Sequence, residues 1–194
     1  MTEKEIIGAI AVFFTLIGYG HYLFRTLSGK AKPHLFSWAI WGLLAAVAGV
    51  AQIVKGAGPG AWTTMIGSAS CFLIAGLSLK FGDKQFHKTD KRALYCALSA
   101  IPIWLLMGDP LYAVFMVCAI TFFGFIPTFR KAWNKPFEEP ALLYALNTLK
   151  FILALAAMET ANPTALLYPL LVACMDASFV TMLVFRRRKL APTK

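Results

Sequence analysis

Seven long apolar segments restrict what this chain can fold into. A helix rises about 1.5 Å per residue, so about 17–25 apolar residues cross a hydrocarbon core roughly 30 Å thick. Backbone polar groups inside lipid must be hydrogen-bonded within the segment, so the segments are predicted to be helices; the alternating pattern of a membrane β-barrel is absent. The segments are 5–25, 34–54, 60–80, 91–107, 110–132, 139–158 and 163–185.

The composition agrees with this assignment. Of the 194 residues, 59% are hydrophobic and 14% are charged, and the mean hydropathy is +0.66. A soluble domain of this length cannot bury so much apolar side chain, so we predict an all-α integral membrane protein with a single domain, 1–194. The four cysteines fall inside apolar segments without a CxxC pair or a Cys/His cluster. We therefore expect no disulfide, no metal site and no cofactor.

The basic residues are distributed unevenly along the chain. Sixteen of the 19 Lys and Arg residues follow the first, third, fifth and seventh segments. The positive-inside rule therefore predicts a multi-pass protein of the inner or plasma membrane, with the N-terminus outside and the basic tail, 186–194, in the cytoplasm. Because topology accounts for the net charge of +10, we expect a lipid bilayer and not nucleic acid as the partner of these residues.

The sequence contains a weak internal repeat. Residues 18–27 and 124–133 match at an offset of 106, with glycine on glycine, tyrosine on phenylalanine and arginine on lysine. Three spans invert a chain, so a fourth helix between two three-helix units makes the units parallel, related by an axis along the membrane normal. We predict this 3+1+3 plan: a first bundle at 5–80, a linker helix at 91–107 and a second bundle at 110–185.

This layout resembles that of the SWEET sugar transporters and the PQ-loop proteins, whose half-size bacterial relatives are the SemiSWEETs. The nicotinamide-riboside transporters of the PnuC type have a comparable plan. The stretch Gly124-Phe-Ile-Pro-Thr-Phe-Arg-Lys-Ala-Trp133 is similar to the end of the family's first helix. Here Pro127-Thr128 stands where a PQ-loop protein has Pro-Gln. The resemblance implies transport of a small solute by alternating access of two three-helix bundles.

The resemblance also implies where a pocket would lie. In the family, a tryptophan of the second helix and an asparagine of the third commonly line it. Trp38 and Trp41 fit the first role, whereas Ser70 and Asp176 occupy the third-helix positions of the two repeats.

Two ionisable residues lie deep inside predicted spans. Lys150 is about 16 Å along a helix from Glu139, and Asp176 is about 15 Å from Arg186, so both lie near the membrane midplane. A lysine there costs about 2.5–3.5 kcal/mol on insertion scales, so we expect the two charges to face each other or a shared wet cavity. They form either a static ion pair that locks two helices, or a substrate or proton site.

Polar and aromatic residues extend this site along one helix face. Tyr144, Asn147 and Lys150 recur at three-residue intervals and so share a face of the sixth span. Trp38 and Trp41 have the same spacing on the second span. Two such facing stripes suit a small polar solute. The alternative is a set of interfacial aromatic residues with a helix–helix hydrogen bond.

Three further residues are candidates for gating. His21, in the first span, is either hydrogen-bonded to a neighbouring helix or a gate or proton carrier. Pro127 and Pro169 interrupt the fifth and seventh spans. Each removes a backbone donor and permits bending, so they are predicted hinges.

These observations favour one function and leave an alternative. No nucleotide-binding, hydrolase or metalloprotease motif is present, so we do not expect an enzyme. We predict a transporter of a small polar solute, such as a sugar, amino acid, organic acid or vitamin. Lys150 favours an anionic substrate or proton coupling over a neutral sugar. The alternative is a non-transporting receptor or assembly factor on the same scaffold. The substrate, the coupling ion and any homo-oligomer stay open.

Overall fold

The computed structural model describes residues 1–82, 88–134, 136–137 and 141–190, without the side chains of residues 89, 90, 127 and 131. All regular elements in these ranges are helices. They are α1 (Glu3–Leu27), α2 (Leu35–Val54), α3 (Trp62–Phe81), α4 (Lys88–Leu98), α5 (Ala100–Met107), α6 (Pro110–Asn134), α7 (Ala141–Ala156) and α8 (Pro163–Leu190), with a one-turn 3-10 helix, Gly58–Ala61, directly before α3.

Five of these helices are long and apolar enough to cross a membrane: α1, α2, α3 with its preceding 3-10 turn, α6 and α8. Helix α7 is apolar but has only 16 residues. The described chain is therefore all-α, and its long apolar helices indicate a membrane-embedded protein. Six of the seven predicted spans coincide with one of these helices to within a few residues.

The fourth predicted span, 91–107, differs from the prediction. The chain forms two short helices there, α4 and α5, which are interrupted at Ser99. Pro102 has no N–H to donate to the Leu98 carbonyl, so the usual hydrogen-bond ladder is broken at this point. The Ser99 hydroxyl donates instead to the Cys96 carbonyl, at 2.7 Å. Neither short helix is by itself long enough to cross a membrane.

Two sets of three apolar helices make matching contacts. Helix α3 contacts both α1 and α2, which we call the first half, and α8 contacts both α6 and α7, the second half. Between the halves, α1 packs against α7 and α2 packs against α6. Helices α4 and α5 lie against α2 and α6. The contacts within the first half therefore match those within the second half, and the two contacts between the halves match each other.

Small residues make this close packing possible. Many fully buried core positions are alanines, which let helix backbones approach closely. Such close packing matters in lipid, where the hydrophobic effect does not drive helices together. Examples are Ala48, Ala51, Ala113 and Ala154. Large apolar side chains instead cover the outside of the molecule, where they suit contact with lipid tails. Examples are Phe13, Leu73, Leu105, Leu106 and Phe123.

At the end of the molecule that carries the N-terminus, the two halves are tied together by polar contacts. The turn at 55–57, after α2, meets the turn at 157–162, after α7. We call this region the N-terminal closure. Its hydrogen bonds are Glu159 N to Ala57 O (3.1 Å), Asn162 Nδ2 to Lys55 O (2.9 Å) and Lys4 Nζ to Met158 O (2.6 Å). Because all three acceptors are backbone carbonyls, the fit depends on the path of the two turns.

Gly60 makes the closest approach within the N-terminal closure. A Cβ atom on Gly60 would lie 2.8 Å from the Ala154 carbonyl oxygen and 3.0 Å from Met158 Cα. Backbone atoms cannot move aside as a flexible side chain can. Any larger residue at position 60 must therefore separate the first half from the second at this end.

Asp109, the residue directly before α6, gives this end a small dependence on pH. Its Oδ1 accepts from the Leu111 N–H at 3.0 Å and lies 3.3 Å from Lys55 Nζ. The backbone donor above all, and then the Lys55 ammonium, hold the pKa of Asp109 below its ordinary value. A carboxyl with a depressed folded-state pKa stabilises the fold above its unfolded-state pKa of about 3.9, and that contribution is lost as the pH falls through the folded value.

We therefore expect Asp109→Asn to lower the thermal unfolding temperature slightly at about pH 7 and to lower it less at about pH 3. The effect is small because the side chain is exposed and solvent screens the pair. Thermal unfolding of both proteins in detergent, followed at the two pH values, measures it. An equal difference in unfolding temperature at the two pH values would contradict the stabilising role assigned to the ionised Asp109.

Candidate functional site

Lys150 lies in the interior of the bundle. Its side chain is only 5% exposed. The ammonium group lies 4.9 Å from the ring centre of Tyr19 on α1 and 5.0 Å from that of Phe151. Among the described residues it has no hydrogen bond and no ion pair. Contacts with ring faces are worth about 2 kcal/mol when desolvated, less than the several kcal/mol lost on burying an ion. The charge is therefore only partly compensated by the protein.

Asp176 lies on α8 and is 2% exposed. Its Oδ2 accepts a short hydrogen bond from Asn147 Nδ2. Asn147 precedes Lys150 by three residues on α7, so one helix face brings the donor and the ammonium towards the same region. No bond to the other carboxylate oxygen, Oδ1, is found within the described part of the chain.

The two buried charges do not form a direct pair. Asp176 is bonded to Asn147, one helical turn from Lys150 on α7, but no ion pair joins Lys150 and Asp176 in the described structure. The sequence predicted that they face each other or share a site. In the structure Asp176 is held by Asn147 and Lys150 is held against aromatic rings, and the shared site stays a prediction.

The first half of the molecule supplies the wall opposite these charges. The Tyr19 hydroxyl lies 3.4 Å from Cys71 Sγ on α3. The Trp38 ring on α2 lies 6.3 Å from the Tyr19 ring and 4.6 Å from the Tyr22 ring. Helices α1, α2, α3, α7 and α8 thus all contribute, and the site spans the interface between the halves.

Tyr144 and Trp41 have different positions from the ones predicted. Tyr144 contacts Phe179 on α8, with ring centres 4.3 Å apart, one turn beyond the bond between Asn147 and Asp176. It therefore belongs to an aromatic cluster of the second half. Trp41 is 52% exposed on the outer surface of α2. It lies outside the site because α2 turns its glycine and alanine face, which includes Gly42, inward.

The predicted gating residues are also separated. His21 is exposed on α1. Pro127 lies within the range of α6, and its side chain is outside the described part of the structure. Pro169 is buried inside α8. Lacking an N–H, it frees the Ala165 carbonyl four residues earlier.

That carbonyl finds a partner across the interface between the halves. Gln52 Nε2, on α2, donates to the Ala165 oxygen at 3.2 Å. Gln52 is fully buried, and its Oε1 has no hydrogen-bond partner in the described structure. The carbonyl that Pro169 leaves without its helix donor is thus tied to the first half by one side chain.

Sequence reasoning missed Tyr19, Cys71 and Gln52. Tyr19 and Cys71 look like ordinary membrane-helix residues, and nothing in their spacing marks them. Gln52 carried a usable signal, because an amide inside an apolar segment needs a partner and Pro169 leaves a carbonyl without one. No group of three or more His, Cys, Asp or Glu side chains that could hold a metal ion is found in the described ranges.

The bond between Asn147 and Asp176 leads to a stability prediction. We expect Asn147→Leu to destabilise the protein by about 1–3 kcal/mol, because the buried Asp176 carboxylate loses its donor. Thr148→Val is the matched control on the same helix, since Thr148 bonds only to the Tyr144 carbonyl of its own helix, at 2.9 Å. Thermal unfolding in detergent compares the two variants. Equal losses would show that the bond to Asp176 contributes nothing specific.

Comparisons with known proteins identify no relative. No protein-family model, no curated protein and no solved structure matches the chain. Function has to be argued from the residues of the site and from the packing around them.

Proposed function

We propose that the protein transports a small polar solute across a cell membrane by alternating access. The site formed by Lys150, Asp176, Asn147, Tyr19 and Trp38 binds the solute between the two halves. One observation carries this proposal above the others: two opposite charges are buried at the interface between the halves without neutralising each other directly. Buried charges without a structural partner in a membrane protein typically mark a substrate or ion pathway.

The packing of the helices supports two repeats. In each half the third helix contacts the other two. If α1 corresponds to α6 and α2 to α7, the contact of α1 with α7 corresponds to the contact of α6 with α2. This is the pattern expected for a 3+1+3 plan whose units are parallel, with α4 and α5 in the linker position. We propose this plan, the SWEET and PQ-loop likeness, the outside N-terminus and the cytoplasmic C-terminus together, because the basic residues and the repeat agree on them.

The N-terminal closure supports a transport cycle in which one end of the path between the halves is closed while the other is open. It is made of hydrogen bonds between two turns and of small residues, with a small apolar cluster of Ala57, Ala61, Met158 and Ala165 beneath it. Such a contact closes one end firmly but exposes little apolar surface when it opens. The Gln52 contact to the Ala165 carbonyl supports a candidate hinge at Pro169 of α8, in the stretch between the closure and Asp176, and a bend there would open one end.

Counterflow into proteoliposomes tests the proposal. Vesicles holding the purified protein are preloaded with one member of a panel of sugars, amino acids, organic acids and vitamins. Entry of the same radiolabelled compound is then followed. At least one compound should exchange faster than in protein-free vesicles, and the unlabelled compound should compete.

Saturable binding without counterflow would contradict transport and favour the alternative function, a non-transporting receptor or assembly factor. Lack of both binding and counterflow for every compound would contradict the site itself. Lys30→Met is a suitable control variant, because Lys30 is exposed after α1, outside both the site and the N-terminal closure, and its replacement should leave exchange unchanged.

A further inference from the structure

The site carries one positive and one negative group, and neither is satisfied by the protein alone. Lys150 has its ammonium against two rings and no oxygen bonded to it among the described residues. Asp176 has one oxygen bonded to Asn147. The formal charge of the pair is zero, yet each member lacks a direct ionic partner in a bundle interior where charges interact strongly.

The class of ligand can be inferred by asking which charges of the site each type of ligand would leave without an ionic partner. A neutral sugar would bring only hydroxyl groups to both charges. A simple carboxylate would pair with Lys150 but would add a second negative charge beside Asp176. A simple amine would pair with Asp176 but would add a second positive charge beside Lys150. Like charges in a dry site cost several kcal/mol. A ligand with both charges pairs with each group and leaves the site neutral.

We propose that the site takes zwitterions of the α-amino acid class, a proposal that rests on the transport function above. The carboxylate of the ligand pairs with Lys150 and its ammonium pairs with Asp176. The adjacent charges of an α-amino acid suit Lys150 on α7 and Asp176 on α8, because the Asn147 that bonds to Asp176 lies one helical turn from Lys150. Asn147 fixes the Asp176 carboxylate and so orients the ammonium subsite.

The aromatic wall indicates where the rest of the ligand lies. The Lys150 ammonium lies over the Tyr19 ring on α1, and the Trp38 ring on α2 meets the Tyr19 ring edge to face, with ring centres 6.3 Å apart. Apolar or aromatic side chains of the ligand would stack there, as in other small-molecule sites lined by rings. Apolar amino acids are therefore preferred over strongly polar ones.

Matched ligands test the proposal without a transport assay. The unfolding temperature of the purified protein is first measured with each of the twenty amino acids. The amino acid with the largest shift is then compared with its decarboxylated amine, its deaminated acid and glucose. The account predicts that the amino acid binds at least tenfold more tightly than either analogue, and that glucose gives no shift.

Two variants assign the ends of the ligand. Lys150→Met should reduce the affinity for the amino acid to about that of its decarboxylated amine, and Asp176→Asn should reduce it to about that of the deaminated acid. Absence of any shift with all twenty amino acids, or equal affinity for the amino acid and an analogue, would overturn the proposal. The same holds if both variants bind the amino acid as the wild type does.

The outcomes separate this proposal from the transport function. Amino acid binding with the predicted discrimination but without counterflow supports the ligand class and contradicts transport. Counterflow of a sugar or an organic acid, without amino acid binding, supports transport and overturns the ligand class.

Discussion

Lys150→Met is expected to reduce substrate exchange at least about 30-fold while the protein still folds. Methionine has a similar length and keeps the packing against Tyr19 and Phe151, but it removes the charge. Loss of one partner of a buried charge contact costs about 2–5 kcal/mol, and each 1.4 kcal/mol corresponds to a factor of ten. Counterflow with wild-type and variant protein at equal reconstituted amounts measures the effect.

A second variant separates function from stability. Lys150→Met leaves Asp176 as a lone buried charge, so a lower unfolding temperature is expected for the single variant. Lys150→Met combined with Asp176→Asn removes both charges and should recover most of that stability, because an uncharged pair in the interior is often as stable as an ionic one. Exchange should stay lost in the double variant. Wild-type exchange in the double variant would show that the charges only lock the helices together.

Gly60→Ala is expected to destabilise the N-terminal closure by about 1–3 kcal/mol, since the added methyl group meets the backbone of Ala154 and Met158. For a chain of this length such a loss corresponds to a fall of roughly 2–12 °C in unfolding temperature. The closed arrangement is weakened specifically, so the site should become easier to reach from the side of the closure. Thermal unfolding and thiol labelling of Cys71 measure the two effects.

Gly18→Ala is the matched control. Gly18 lies on α1, and a Cβ atom there would meet nothing within 4 Å. Alanine also favours a helix over glycine by up to about 1 kcal/mol, so this variant should be neutral or slightly stabilised. Equal destabilisation by the two substitutions would contradict the role assigned to the close approach at Gly60.

The helix positions could be predicted from the sequence because their signals are strong and local. Each long apolar segment is bounded by proline, glycine or charge, and α6 and α8 begin at Pro110 and Pro163 as expected. Counting residues along these helices predicts that Lys150 and Asp176 lie near the membrane midplane, and both are buried in the bundle. The fourth span is split at Ser99, three residues before Pro102, and the apolar character of the segment does not reveal this interruption.

The rotation of the helices about their axes could not be predicted. In a membrane helix both the lipid-facing side and the core-facing side are apolar, so hydrophobic periodicity does not mark the inside. Trp38 and Trp41 therefore look equivalent in the sequence, although Trp38 packs against Tyr19 and Tyr22 while Trp41 is exposed. The partner of Lys150 was equally hidden, because Tyr19 lies about 130 residues away in sequence and a tyrosine in a membrane helix is more often an interfacial residue.

The accessibility of Cys71 from both sides of the membrane tests alternating access most directly. Cys71 is buried beside Tyr19, and the other three cysteines, Cys96, Cys118 and Cys174, can be replaced by alanine to leave it as the single thiol. A membrane-impermeant thiol reagent is then applied to right-side-out and to inside-out vesicles. The account predicts slow modification from both sides and protection by the transported ligand. Modification from neither side, or from one side only, would contradict it.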